Sequence, residues 1–326
     1  MRILNVFDFL NSNLNGSVVT IGNFDGVHRG HQEIFRRLTL EGLRLGLPTV
    51  AVTFDPHPLA LLSPENAPQL ITTFEQKAAL IAESGIDHLA VIKFTREFSE
   101  IPADIFVKDV LCGSFGMRHI IIGHDYAFGR GRQGNFQTLA QLGAELHFSL
   151  EDIEPVTDGN TVFSSSLARR TINSGDMSAT AAILGRYHLI SGKVVHGRDL
   201  GHKLGFPTAN ISTRNELIPP DGVYAVMVVM REEVLQGACS IGTNPTFGFG
   251  ERAIEAFLLD FSEEIYDNEV AFCFVKRLRE TKKFPDVDSL IIAIKEDVRH
   301  TRTVLAEADL NMVKRLIDHE QNVSII

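Results

Sequence analysis

The hydrophobic pattern of this 326-residue chain changes character near Gly185, and one fold cannot satisfy both halves. Before that point, β-branched runs at Val18–Gly22, Thr49–Phe54, His88–Phe94 and Arg118–Gly123 read as strands. Between them, Gln32–Leu45, Gln76–Ser84 and Ala103–Leu111 carry apolar residues at helical spacing, although Glu41 interrupts the stripe of the first. Strands alternating with helices call for parallel βαβ units in a doubly wound, Rossmann-like α/β sheet. Ligands of such sheets bind beyond the carboxyl ends of the strands, where Gly22–His31 and Asp55–Pro58 fall. Ser164–Ser166 offer caps for a helix through Asn173, and Ser178–Leu184 reads as a second short helix.

Beyond Gly185 the runs shorten and alternate. Leu189–Val195, Val223–Met230, Val234–Ile241, Ile254–Phe261 and Val270–Leu278 read as strands of an antiparallel sheet or small barrel. Asp286–Leu305 closes it as an amphipathic helix with Leu290, Ile294 and Val298 on one stripe, and Ala308–Glu320 is a further helix candidate. The expected domains are therefore 1–184 and 185–326.

Composition narrows the function classes. A net charge of -10 argues against a dedicated nucleic-acid binder, whose surface needs excess Lys and Arg, yet leaves room for a small anionic substrate held by local donors. Cys112, Cys239 and Cys273 have neither metal spacing nor a disulfide framework, and they read as buried thiols of a reducing compartment. No apolar run approaches bilayer length, and Asp8 breaks the first apolar stretch, so a membrane span and a signal peptide are not expected. The expected setting is cytoplasmic. Oligomeric state is not legible in the sequence.

Two segments carry candidate chemistry. The first, Gly22 to His31 (GNFDGVHRGH), leaves a strand and opens a helix. Gly22, Gly26 and Gly30 let backbone amides approach an anion, with the positive end of the helix behind them. His28 and His31 share a face of the first turn, where two imidazoles can donate hydrogen bonds to a phosphoryl group as its charge spreads. A turn with two surface histidines, or a metal pair, are the competing readings; the metal lacks further Cys or His ligands.

The second segment runs from Gly192 to Asn210 (GKVVHGRDLGHKLGFPTAN), rich in glycine but unlike a Walker A loop. Pro207 keeps Phe206 out of helix, so Thr208 and Asn210 lie on one side of an extended chain. Two neutral oxygen ligands beside a glycine loop suit Mg²⁺, which keeps few protein contacts and takes the rest from phosphate and water; a hairpin with turn residues is the bland alternative. Downstream, Glu255 is expected on the same side as Phe257, Leu259 and Phe261. A carboxylate on an apolar face is costly unless paired or functional, which makes it a candidate general base, an ion-pair partner, or part of an exposed face.

The first segment resembles the HxGH signature of the nucleotidylyltransferase superfamily, and more closely the FMN adenylyltransferase module of bifunctional bacterial FAD synthetases. The likeness continues through TFDPHP at Thr53–Pro58, GHDYAFG at Gly123–Gly129 and SSSLAR at Ser164–Arg169. The resemblance implies that His28 and His31 contact ATP phosphates together with Gly22, Phe24, Asp25, Gly26 and Gly30. It also implies that Asp125 faces nucleotide or flavin, that Ser164, Ser165 and Arg169 hold phosphates, and that His57 and Phe128 lie near flavin. Arginines usual in this family fall here at Val162 and Ala127. The second half resembles the riboflavin kinase module through LGFPTAN, DGVY at Asp221–Tyr224, GTNPTF at Gly242–Phe247 and EAFLLDF at Glu255–Phe261. That resemblance implies a phosphate loop with Gly197, Gly201, Lys203, Gly205 and Pro207, Mg²⁺ at Thr208 and Asn210, Glu255 as base for the riboflavin 5′-hydroxyl, and Arg279 near flavin. Phe257 stands where this family often has histidine. The expected activity is phosphorylation of riboflavin to FMN by ATP, followed by adenylylation of FMN to FAD. The alternatives are a kinase whose first domain only binds flavin or is structural, and a different nucleotidylyltransferase with a ligand-binding barrel.

Overall fold

The computed structural model describes residues 1–5, 14–123, 126–159, 161–197, 206–231, 233–243, 252–313 and 324–325. Packing divides the chain into two compact units, one of residues 1–69, 74–164 and 318–326, the other of 70–73 and 165–317.

The first unit is a parallel sheet. Its strands are β1 (Arg2–Asn5), β2 (Ser17–Ile21), β3 (Thr49–Asp55), β4 (His88–Lys93), β5 (Met117–Gly123), β6 (Ser149–Ile153) and the terminal pair Ser324–Ile325, in the order terminal pair, β1, β4, β3, β2, β5, β6. Its helices include α1 (Arg29–Leu45), the short α2 (Pro58–Leu62), α3 (Phe74–Glu83) and α4 (Phe136–Leu146), with a π-helix at Phe106–Ser114. Because helices cover both faces, the central strands are buried on both sides: all five residues of β2 are buried. One face packs Val19, Ile21, Val50, Val52, Ile120 and Ile122 against Phe106, Val107, Leu111 and Leu139. On α1, Phe35 and Leu38 are fully buried.

Glu41 does not end α1. It pairs with Arg44 at 2.8 and 2.5 Å, and the helix runs on to Gly46, whose φ of 66° closes it in the left-handed conformation. Strands β1 and β6, helix α4 and the small ribbon β7 (Thr157–Asp158) with β8 (Thr161–Val162) are additions to the sequence reading.

The second unit opens with α5 (Ser165–Ser174) and α6 (Met177–Leu184). A closed antiparallel barrel follows, formed by β9 (His188–Val195), β10 (Thr208–Thr213), β11 (Gly222–Met230), β12 (Glu233–Thr243), β13 (Arg252–Leu258) and β14 (Glu269–Arg279) in the order β10, β13, β12, β11, β14, β9. Closure removes the sheet edges. Ile190, Tyr224, Val226, Ile241, Ile254 and Phe272 fill the interior. Helix α7 (Val287–Ala306) starts on the side chain of Asp286, which accepts from Ser289 N–H at 2.7 Å. The extended reading of Thr208–Asn210 is realised as β10. The expected helix at Ala308–Glu320 lies largely outside the described residues.

Candidate functional site

In the first unit the chain leaves β2 at Gly22 and turns sharply before α1. Phe24 and Val27 hold φ values of 49° and 38°, which is costly for a bulky and for a β-branched side chain, and Gly26 sits at 78°. Strain of this kind persists where surrounding structure over-determines it, as in ligand-binding loops. Phe24 is buried, and its ring meets His31 edge-on at 5.3 Å and Phe35 at 4.9 Å. Gly22 and Gly30 are needed for space. A Cβ at Gly22 would stand 2.7 Å from the Phe24 ring, and one at Gly30 would stand 2.9 Å from the His28 ring.

His28 is the N-cap of α1, and its Nδ1 accepts from Gly30 N–H at 3.1 Å. An accepting Nδ1 leaves the proton of the neutral ring on Nε2, a donor. The His31 ring stacks on His28 at 3.7 Å between centroids and 27° between planes. The geometry therefore pairs two imidazoles at a helix start. Asp25, in the same loop, is buried.

The end of β3 closes on the same loop. His57 caps α2 by accepting from Leu59 N–H at 3.2 Å, and its Nε2 lies 3.1 Å from the Asn23 side-chain amide. Phe128 is buried and stacks with Tyr126 at 5.9 Å. Burial pushes the Tyr126 hydroxyl above its ordinary range, so it stays protonated. Lys77, on α3, reaches Thr53 and Asn23, a contact the sequence reading missed; only its helical position was legible. Asp125 lies outside the described residues. Ser164 ends the first unit, while Ser165 and Arg169 ride on α5 in the second. Val162 ends β8 with 48% of its surface exposed.

In the second unit, β10 and β13 pair antiparallel, with Thr208 opposite Phe257 and Asn210 opposite Glu255. Directly opposed residues share a face, so Thr208, Asn210, Glu255 and Phe257 form one patch. Thr208 Oγ1 donates to Glu255 Oε2 at 3.3 Å. Glu255 shares a side with Phe257 as expected, but that side is not a long apolar face. The barrel interior takes Ala209, Ile254, Ala256 and Leu258, so Glu255 lies on the opposite, half-buried face. The strand ends at Leu258, and alternation does not carry through Leu259 to Phe261.

Asn210 is only 4% exposed, and its Oδ1 is buried without a hydrogen-bond partner among the described residues. A buried oxygen left open beside a hydroxyl and a carboxylate is a donor set of hard oxygens, which fits Mg²⁺. Gly197 packs directly on Asn210, where a Cβ would meet Nδ2 at 2.3 Å. Pro207 is exposed and Phe206 meets the Phe257 ring edge-on at 5.3 Å. Gly201, Lys203 and Gly205 lie outside the described residues, as does Asn244–Phe247 of the GTNPTF stretch. Asp221 and Tyr224 of the DGVY stretch build the barrel: Asp221 accepts from Arg252 Nε at 2.8 Å, and Tyr224 donates to Pro220 O at 2.6 Å. Arg279 grips Asp297 of α7 through two bonds of 2.8 and 2.7 Å and lies 5.7 Å from the Phe284 ring centroid.

The FAD synthetase family matches residues 10–167 and the riboflavin kinase family matches residues 184–305. Fold and site thus define the class, a nucleotide-dependent transferase built from a nucleotidyltransferase sheet and a kinase barrel. The bifunctional riboflavin kinase/FMN adenylyltransferase of Escherichia coli strain K12 is 35% identical over 86% of this chain and 90% of its own length. That of Pseudomonas fluorescens is 36% identical over 89% and 94%. The chain belongs to the bifunctional riboflavin kinase/FMN adenylyltransferase family. A solved structure from Streptococcus pneumoniae, described as a macrolide-efflux protein, superposes with a TM-score of 0.84 at 28% identity over 93% of this chain and 99% of that one. No described helix here is long and apolar enough to cross a membrane.

Proposed function

We infer that this chain phosphorylates riboflavin to FMN with ATP in its barrel and adenylylates FMN to FAD, releasing pyrophosphate, at its parallel sheet. The observation that carries this reading is the presence of both families in order along one chain. For adenylyl transfer, His28 and His31 are the donors to the reacting phosphoryl group, and the loop from Gly22 to Gly30 supplies backbone amides. Asp125, Ser164, Ser165 and Arg169 are proposed to hold phosphate or flavin, with His57 and Phe128 on the flavin side. For phosphorylation, Glu255 takes the proton of the riboflavin 5′-hydroxyl as that oxygen attacks the γ-phosphorus. Thr208 holds the carboxylate in place.

Thr208 and Asn210 would hold Mg²⁺, which supplies charge neutralisation at the phosphates when bound. Gly197, Gly201, Lys203, Gly205 and Pro207 belong to the proposed phosphate loop. Arg279, already committed to Asp297, would serve flavin by fixing α7 to β14. Three free thiols, two of them buried, are consistent with a cytoplasmic setting. The proposed division is 1–184 for adenylylation and 185–326 for phosphorylation.

Product analysis with ATP and riboflavin tests the reading. FMN followed by FAD is expected; FMN alone would restrict the chain to a kinase, and neither product would sink the assignment. Glu255→Gln should lower FMN formation by on the order of 10²–10⁴-fold, the scale of a lost general base, with FAD formation from supplied FMN intact.

A further inference from the structure

Lys77 projects from α3 to the place where the ends of β2 and β3 meet. Its Nζ donates to Thr53 Oγ1 at 3.2 Å and to Asn23 O at 3.4 Å, and the Thr53 hydroxyl itself donates to Asn23 O at 3.2 Å. Ammonium, hydroxyl and carbonyl close a triangle. The carbonyl belongs to the peptide that leads into Phe24, the first residue of the loop with a positive φ. Asn23 also reaches His57 through its side chain at 3.1 Å. The strained turn before His28 is therefore anchored to β3 and α3 at the peptide where it departs from ordinary backbone.

Thr53 is fully buried, and the lysine beside it is half-buried. Burial lowers the Lys77 pKa, while the charges of Asp25 and Asp55 work against that shift. A cation kept in such a place has a desolvation cost that a surface lysine on the same helix would avoid.

We propose that Lys77 is a positioning residue for adenylyl transfer, holding the Asn23–Phe24 peptide so that His28 and His31 are presented at the start of α1. The role rests on the adenylyl-transfer reading of that loop. Lys77 acts through the loop, by its hydrogen bonds to Asn23 and Thr53 and by balancing Asp25 and Asp55. It adds stiffness to a turn that Phe24 and Val27 alone would not hold, since both sit in conformations their side chains disfavour.

The full-length protein assayed with FMN and ATP provides the test. Lys77→Met should lower kcat for FAD formation by about 10²-fold, the scale of a misplacement near 1 Å, while KM for ATP and FMN stays within about threefold. Lys77→Arg, which restores the charge facing Asp25 and Asp55, should recover turnover well above the methionine variant. Thr53→Val should move kcat in the same direction, and the double variant should be no worse than Lys77→Met, because both changes open one triangle. FMN formation from riboflavin should be unchanged throughout. A methionine variant with wild-type kcat, a raised KM with kcat unchanged, or additive effects of the two substitutions would each overturn the role. If Lys77→Met does not fold, Thr53→Val decides, and wild-type turnover in that variant overturns it. Wild-type protein that makes no FAD from FMN would instead remove the adenylyl-transfer reading beneath it.

Discussion

Gly30 has only one neighbour that decides its identity. A methyl group there would stand 2.9 Å from Cε1 and 3.0 Å from Nδ1 of His28, the ring that caps α1 and stacks on His31. Gly30→Ala should favour the helix by up to about 1 kcal/mol in backbone terms. It should nevertheless lower FAD formation by on the order of 10²-fold, because the displaced ring loses both its acceptor geometry and its stack. Steady-state assay beside a thermal melt separates the two effects, and an unaltered kcat would show that the His28 ring is free to move.

A second residue sets a pH dependence. His188 on β9 is 2% exposed, its Nε2 lies 3.2 Å from Leu217 O, and burial brings its pKa down to about 4 despite that contact. The folded state therefore holds the ring neutral, while the unfolded chain protonates near 6.5. Between those values the unfolded state binds more protons, so the contribution is present above about 6.5 and is lost as pH falls toward 4. On the order of 3 kcal/mol is at stake. Denaturant melts of the wild type should show this loss, and His188→Gln, which cannot titrate, should flatten it. An equal slope in both proteins would assign the titration elsewhere.

At the scale of elements, Arg279 and Asp297 join the last barrel strand to α7. The carboxylate side chain is 8% exposed and the guanidinium 26%, so the pair is partly desolvated and partly screened. Asp297→Asn should cost about 1–3 kcal/mol, below the full value for a buried pair, with the denaturant slope unchanged. A midpoint equal to wild type would mean that Phe284 and the helix packing alone hold the arginine. This pair also shows what sequence could and could not give. The stripe Leu290, Ile294 and Val298 announces the helix, but the residues it buries most are Asp297, which pairs with Arg279, together with Thr301 and Leu305. Strands β2, β3, β4 and β5 were legible because burial on both faces keeps them rich in β-branched and apolar residues, with only a few buried polar positions such as Ser17, Thr20 and Thr53. Strand β6 was not: its SLEDI sequence is exposed or half-buried throughout and carries no apolar face. Glu255 shares its side with Phe257 as expected, but the apolar side was drawn too long because Leu259 and Phe261 extend the alternation in sequence past the real end of β13. The strand, loop and helix start at Gly22–His31 were readable, since strand, glycines and histidines are contiguous, but the positive φ of Phe24 and Val27 and the stack of His28 on His31 were not. Lys77 was not, because the contact that defines it joins residues 24 and 54 positions apart.

For the whole molecule, the question is how much chain the barrel needs. The riboflavin kinase family begins at residue 184, whereas packing assigns the second unit from Ser165. The difference is α5 and α6. Within α6, Met177 belongs to the barrel's main apolar cluster, and Ala181 packs with Tyr187, Cys273 and Val275. Met177 is 2% exposed and Leu184 is fully buried. Each large side chain of this kind contributes about 1.5–3 kcal/mol when buried. A fragment of residues 185–326 should therefore still phosphorylate riboflavin, since Thr208, Asn210 and Glu255 all lie within it. It should unfold at lower denaturant than a fragment of residues 165–326, by several kcal/mol on the same apolar-burial scale. Both fragments should lack FAD formation, because His28 and His31 are absent. Comparing their urea midpoints and FMN yields checks the expectation directly. Equal midpoints would show that α6 rests on the barrel without stabilising it. An inactive 165–326 fragment, with the full chain active, would show that phosphorylation needs groups from the first 164 residues.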